Sequence, residues 1–61
     1  MIVEDILRLV NDHSKVLIDT KNGDGTYSIL EECFAANVGR WRLYATVIEI
    51  SVMNNVLVMT I

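Results

Sequence analysis

Lys15-Val16-Leu17-Ile18-Asp19-Thr20-Lys21-Asn22-Gly23-Asp24-Gly25-Thr26-Tyr27-Ser28-Ile29-Leu30 decides the fold. Val16, Leu17 and Ile18 centre a strand over Lys15–Thr20, because β-branched and aliphatic residues suit a pleated, half-buried surface. Lys21-Asn22-Gly23-Asp24-Gly25 then supplies glycines, Asn and Asp, the residue types that tolerate a positive φ, and predicts a tight type I′-like hairpin turn. The chain returns as a second strand from Thr26 to about Phe34. Strict alternation would put Tyr27, Ile29, Glu31 and Cys33 on one face and Ser28, Leu30, Glu32 and Phe34 on the other.

The same stretch has a second reading. Asn22, Asp24 and Ser28 fall at three ligand positions of a calcium-binding loop, with Gly25 at its sharp turn and Glu31 at its closing bidentate carboxylate. Thr20 stands where the first aspartate belongs, Tyr27 replaces an aliphatic residue, and the flanks read as strand rather than helix. The hairpin reading is therefore preferred, and no metal or cofactor is expected.

Outward from the hairpin, Val3, Ile6, Leu7 and Val10 recur at helical spacing and predict a short amphipathic helix over Val3–Val10. Glu4 and Asp5 lie in its first turn, at the positive end of the helix dipole, and Asn11-Asp12-His13-Ser14 ends it. Ala35–Tyr44, interrupted by Gly39, reads as a loop with at most a helical turn. Ala45–Met53 is expected as a third strand, Asn54-Asn55 as a tight turn, and Val56–Ile61 as a fourth strand, apolar on both faces. Strands joined by short turns pair antiparallel. The expectation is thus a single α+β domain over residues 1–61, with one N-terminal helix on a four-stranded antiparallel sheet (α-β-β-β-β). Its core should comprise Val3, Ile6, Leu7, Val10, Val16, Ile18, Ile29, Ile48, Ile50, Val52, Leu57 and Met59.

Composition narrows the function. The 61 residues are 52% hydrophobic, and their mean hydropathy is +0.40. A domain of this size buries only about 60% of the surface its unfolded chain exposes. Not every apolar side chain can be hidden in one copy, so a homodimer or a protein partner is expected. The lone Cys33 excludes an intrachain disulfide. Glu4 and Asp5 stand where a signal peptide carries cations. The longest uncharged run, Ile50–Ile61, is short of the roughly 20 residues that cross a bilayer. These features read as a cytoplasmic protein with no membrane role.

The net charge is −3, which disfavours non-specific DNA binding, since that draws its affinity from phosphate neutralisation. Seven acids stand among residues 1–34, and their spread reads as a solvated surface rather than a DNA mimic.

No catalytic constellation stands out. His13 and Cys33 are the only soft metal ligands and the only nucleophile–base pair, and no third orienting group accompanies them. Glu31 and Glu32 are adjacent on a strand and point to opposite faces. No glycine loop leads into a helix that could cradle phosphate. The chain is read as a binding protein, not an enzyme.

The strongest site candidate is Arg40-Trp41-Arg42-Leu43-Tyr44. Arg, Trp and Tyr dominate binding hot spots because they bury large areas at modest entropic cost. Arg40, Trp41, Arg42 and Tyr44 are accordingly the expected contact residues for a protein partner. A base-stacking nucleic-acid site is the alternative, and burial of Trp41 against one end of the sheet is the structural competitor.

Two segments carry a resemblance: Val3-Glu4-Asp5-Ile6-Leu7 before a strand and a Gly/Asp turn, and the closing hairpin Val47-Ile48-Glu49-Ile50-Ser51-Val52-Met53-Asn54-Asn55-Val56-Leu57-Val58. In these the chain resembles small, uncharacterised prophage and mobile-element proteins of gut-type bacteria. The resemblance implies no catalytic residues. It implies a phage-encoded inhibitor or regulator of a host system, of the anti-CRISPR type, that acts by covering a surface.

Overall fold

The computed structural model describes residues 1–61. The helix α1 is Val3–Leu7, followed by the strands β1 (Lys15–Lys21) and β2 (Tyr27–Phe34). Two 3-10 turns, Ala35–Asn37 and Arg40–Arg42, lead to β3 (Glu49–Met53) and β4 (Val56–Thr60). One short helix and one four-stranded sheet make an α+β fold, as the patterning predicts.

The sheet order is β2-β1-β4-β3. Each hairpin is antiparallel, but β1 and β4 pair in parallel at the centre, with Val16 opposite Leu57 and Ile18 opposite Met59. The sheet is therefore mixed, which corrects the antiparallel expectation. Two local hairpins were legible, but how they dock on each other was not. The connection from Ala35 to Ile48 is long enough to carry the chain across the sheet and seat β4, not β3, beside β1.

The helix is shorter than its apolar spacing predicts and ends at Leu7, with Val10 packed half-buried beyond it. The Asp5 carboxylate accepts the Ile2 N–H at 3.0 Å and fixes the entry to the helix. The N-terminal segment also bonds to the chain before β3: Val3 N donates to Ala45 O at 3.0 Å, and Val47 N to Met1 O at 2.9 Å. Regular strand structure thus begins at Glu49, not Ala45.

Val3 and Ile6 from the helix meet Val16, Ile18 and Met59 from the two central strands, with Ala35 closing one side. Val3, Val16, Ile18 and Met59 are completely buried. Four residues expected in the core are exposed instead: Ile29, Ile48, Ile50 and Val52. A five-residue helix is only about 7.5 Å long. Four strands place the outer pair about 14 Å apart. The helix covers β1 and β4 and leaves β3 bare.

Ile29 is exposed for a different reason. Ile18 pairs with Glu31 but Asp19 pairs with Ile29, so Leu30 is an extra residue, a β-bulge. The bulge breaks the alternation: Tyr27 and Ile29 line the open face, whereas Glu31 and Cys33 turn to the helix side.

The two reversals also differ in type from each other. In the first, Asn22 N donates to Thr26 O at 2.7 Å and Gly25 N to Asn22 O at 3.1 Å, and only Gly25 has a positive φ, +90°. This is a turn followed by a left-handed glycine bulge, not a type I′ turn. The second, with Asn54 at φ 53° and Asn55 at φ 64°, has the two positive angles that type I′ requires.

Candidate binding surface

Glu31 organises the loop that carries the candidate residues. Turned inward by the bulge, its Oε1 accepts the Gly39 N–H at 2.9 Å and its Oε2 accepts Arg42 Nε at 2.8 Å. Both charged side chains are about one-fifth exposed, 21% for Arg42 and 20% for Glu31. One carboxylate thus ties both ends of the Gly39–Arg42 turn to β2. Within the turn, Arg42 N donates to Gly39 O and Leu43 N to Arg40 O.

Trp41 stands on this tethered turn and is 78% exposed; Tyr44 is 73% exposed. Trp41 is therefore not buried against the sheet end. Its ring lies against Gly39, where an added Cβ would come within 2.8 Å of two ring atoms. Gly39 has an ordinary φ of −60°, so the glycine is there for the ring and not for the backbone. The Arg42 guanidinium lies 5.9 Å from the Trp41 ring centroid, within cation–π range. Arg40 is exposed and makes no ion pair. The four predicted residues share one segment but not one role: Trp41, Tyr44 and Arg40 face solvent, and Arg42 is the anchor.

The sheet face opposite the helix is uncovered. A shallow groove of about 530 Å3 runs across it, floored by Leu17 and Val58 and walled by Tyr27, Ile29 and Met53. Tyr27 reaches over the central strands and its hydroxyl donates to Glu49 Oε2 at 3.1 Å. That bond, with the negative charge beside it, raises the Tyr27 pKa above its ordinary value. Below it, Asp19 is buried and accepts from the Thr60 hydroxyl at 2.6 Å.

The Cys33 thiol is pushed up by desolvation and by the neighbouring Glu31 carboxylate. This is opposite to the depression an activated thiolate needs. Asn22 of the first reversal donates to the hydroxyls of Thr26 and Ser28, and Asp24 accepts from Thr26 N at 3.0 Å. Of the would-be calcium ligands, Asn22 is thus bonded to Ser28 across a strand reversal, Asp24 to Thr26, and Glu31 to Gly39 and Arg42. No group of three or more His, Cys, Asp or Glu side chains converges.

The role of Glu31 was not read from the sequence, where its parity with Tyr27 and Ile29 put it on their face. Only the bulge reveals it. No helix is long and apolar enough to cross a membrane. No family model matches the chain, and neither curated proteins nor solved structures give a match.

Proposed function

We propose that this chain is a small, non-enzymatic protein-binding module that acts as a homodimer in the cytoplasm and contacts its partner through Trp41, Tyr44 and Arg40. The observation that carries the reading is the 78% exposure of Trp41 on a turn fixed at both ends by Glu31. A large aromatic held outward on a preorganised turn can be buried by a partner with little further ordering cost. Arg42 acts by holding the turn. The resemblance to small prophage proteins, which rests on the residues alone, adds a host protein as the partner and inhibition or regulation as the outcome.

The nucleic-acid reading is weaker. Arg42 is committed to Glu31, so Arg40 is the segment's one cation without an ion pair. A single phosphate contact gives little affinity and a shallow salt dependence.

The test is affinity capture from lysate of the source cell with the wild-type chain and with Trp41→Ala as baits, after matching their thermal melts. Loss of a captured protein with Trp41→Ala supports the reading. Equal capture by both baits, or capture that disappears with nuclease treatment, overturns it.

A further inference from the structure

The two edges of the sheet are built differently. The β2 edge is bulged at Leu30 and carries Glu31 and Glu32, devices that discourage strand addition. The β3 edge has a single carboxylate, Glu49, and no bulge within Glu49–Met53; its one irregularity lies just before it, where Ile48 N also donates to Thr60 O. Every residue of Glu49–Met53 is exposed, Glu49 is its only charge, and its pairing with β4 runs without a shift.

The type I′ turn fixes which backbone groups face outward. A two-residue loop makes Met53–Val56 a hydrogen-bonded pair. Bonded and non-bonded pairs alternate in an antiparallel ladder. Ser51 and Glu49 therefore bond to β4, and the N–H and C=O groups of Ile50 and Val52 point to solvent. Their side chains are 51% and 70% exposed. An extended backbone is the group that matches such an edge.

We infer that the occupant is β3 of a second copy, paired antiparallel about a two-fold axis at Ser51. This rests on the homodimer proposed above and supplies its interface. The register is self-complementary. Centring on Ser51 overlaps the whole strand and matches the outward groups of Ile50 with those of the partner's Val52, and the reverse. Each such pair exchanges two N–H···O bonds. Ile50 meets the partner's Val52 on one face, a β-branched pair that packs well. Glu49 stands opposite the partner's Met53, so no two carboxylates oppose each other. The result is one eight-stranded sheet with both helices on the same side. A stable interface takes roughly 800 Å2 per partner, more than a five-residue strand covers, so the dimer dissociates in the micromolar range or above.

Sedimentation equilibrium across about 10 μM to 1 mM, the range set by that affinity class, is the first measurement. Val52→Pro deletes an outward N–H without removing a β4 bond, and Ile50→Lys puts a charge on the edge. Both should be monomeric with the circular dichroism of the wild type. On a Cys33→Ser background, Ser51→Cys with oxidised glutathione should cross-link, because non-bonded antiparallel partners sit about 4.5 Å apart, within disulfide reach. Glu49→Cys should not, since the two copies lie about 13 Å apart. A wild type that stays monomeric throughout overturns the homodimer reading together with this interface. A dimer that survives both edge variants, with no Ser51→Cys cross-link, leaves the homodimer standing and overturns this interface alone.

Discussion

Arg42 Nε donates to Glu31 Oε2 at 2.8 Å, while the other oxygen of the same carboxylate accepts the Gly39 N–H. The segment that presents Trp41 is thereby fastened to β2 by one side chain, and nothing else in β2 does this. Removing the carboxylate leaves a half-buried guanidinium and an amide without their acceptor. Glu31→Ala should cost about 1–3 kcal/mol, the range for losing hydrogen bonds to a charged group, measured by urea unfolding. Glu31→Gln, which keeps one carbonyl acceptor, should cost less. Trp41 fluorescence anisotropy should fall in both, since the turn loosens.

Gly39→Ala tests whether the ring position matters. The backbone tolerates alanine, but the new Cβ would overlap the Trp41 ring. The ring must swing away and the backbone need not. Stability should change by less than about 0.5 kcal/mol, as for other surface substitutions, while the Trp41 emission maximum shifts and partner capture weakens. In a double-mutant cycle with Trp41→Ala, the Gly39→Ala effect on capture should vanish.

The first reversal separates two glycines that look alike in the sequence. Gly25 has φ +90°, and Gly23 has neither a positive φ nor any atom within 4 Å of an added Cβ. Gly25→Ala should destabilise by about 1 kcal/mol, because an L side chain is strained there. Gly23→Ala should be neutral or stabilising by up to about 1 kcal/mol through the unfolded chain. Parallel thermal melts decide it. Equal losses at both positions would contradict this turn geometry.

The Tyr27–Glu49 bond gives a pH signature. A tyrosine whose folded pKa is raised contributes stability that is present below its unfolded pKa and is lost as pH rises through the folded value. The contribution therefore fades in the alkaline range, starting near the ordinary tyrosine value of 10.0. On a Tyr44→Phe background, ultraviolet titration should show tyrosinate forming above 10.0 in the parent. Glu49→Gln should lower the midpoint, because it removes the carboxylate charge that opposes ionisation.

Core and edge should differ sharply under truncation. Met59 is completely buried between the helix and β1, and Met59→Ala should cost about 2–5 kcal/mol. Only nine residues are buried, so that loss takes a large part of the stability. Ile29→Ala, at an exposed position, should cost under about 1 kcal/mol. Chemical denaturation of the two variants measures the contrast.

What the sequence made legible was local. Lys15–Lys21, the reversal after it and the Asn54-Asn55 turn each carry their own chemistry, so both hairpins could be read. The parallel pairing of β1 with β4 could not, because it depends on which apolar faces share one short helix, a property of no single segment. Val16, Ile18 and Met59 satisfy it at the expense of Ile50 and Val52, whose patterning is just as apolar. The bulge at Leu30 was invisible for a similar reason: one extra residue reverses the faces without changing the composition. Arg40-Trp41-Arg42-Tyr44 was found from residue type alone, but the division between the anchor Arg42 and the outward Trp41 needed Glu31 in place.

The parallel junction at the centre of the sheet also makes the core depend on both hairpins at once. β4 is translated last among the strands yet sits between β1 and β3. Val16 and Ile18 gain their apolar β4 neighbours, Leu57 and Met59, only when that strand docks against β1. The buried face of the first hairpin is therefore completed only by the second, and neither hairpin holds the core alone.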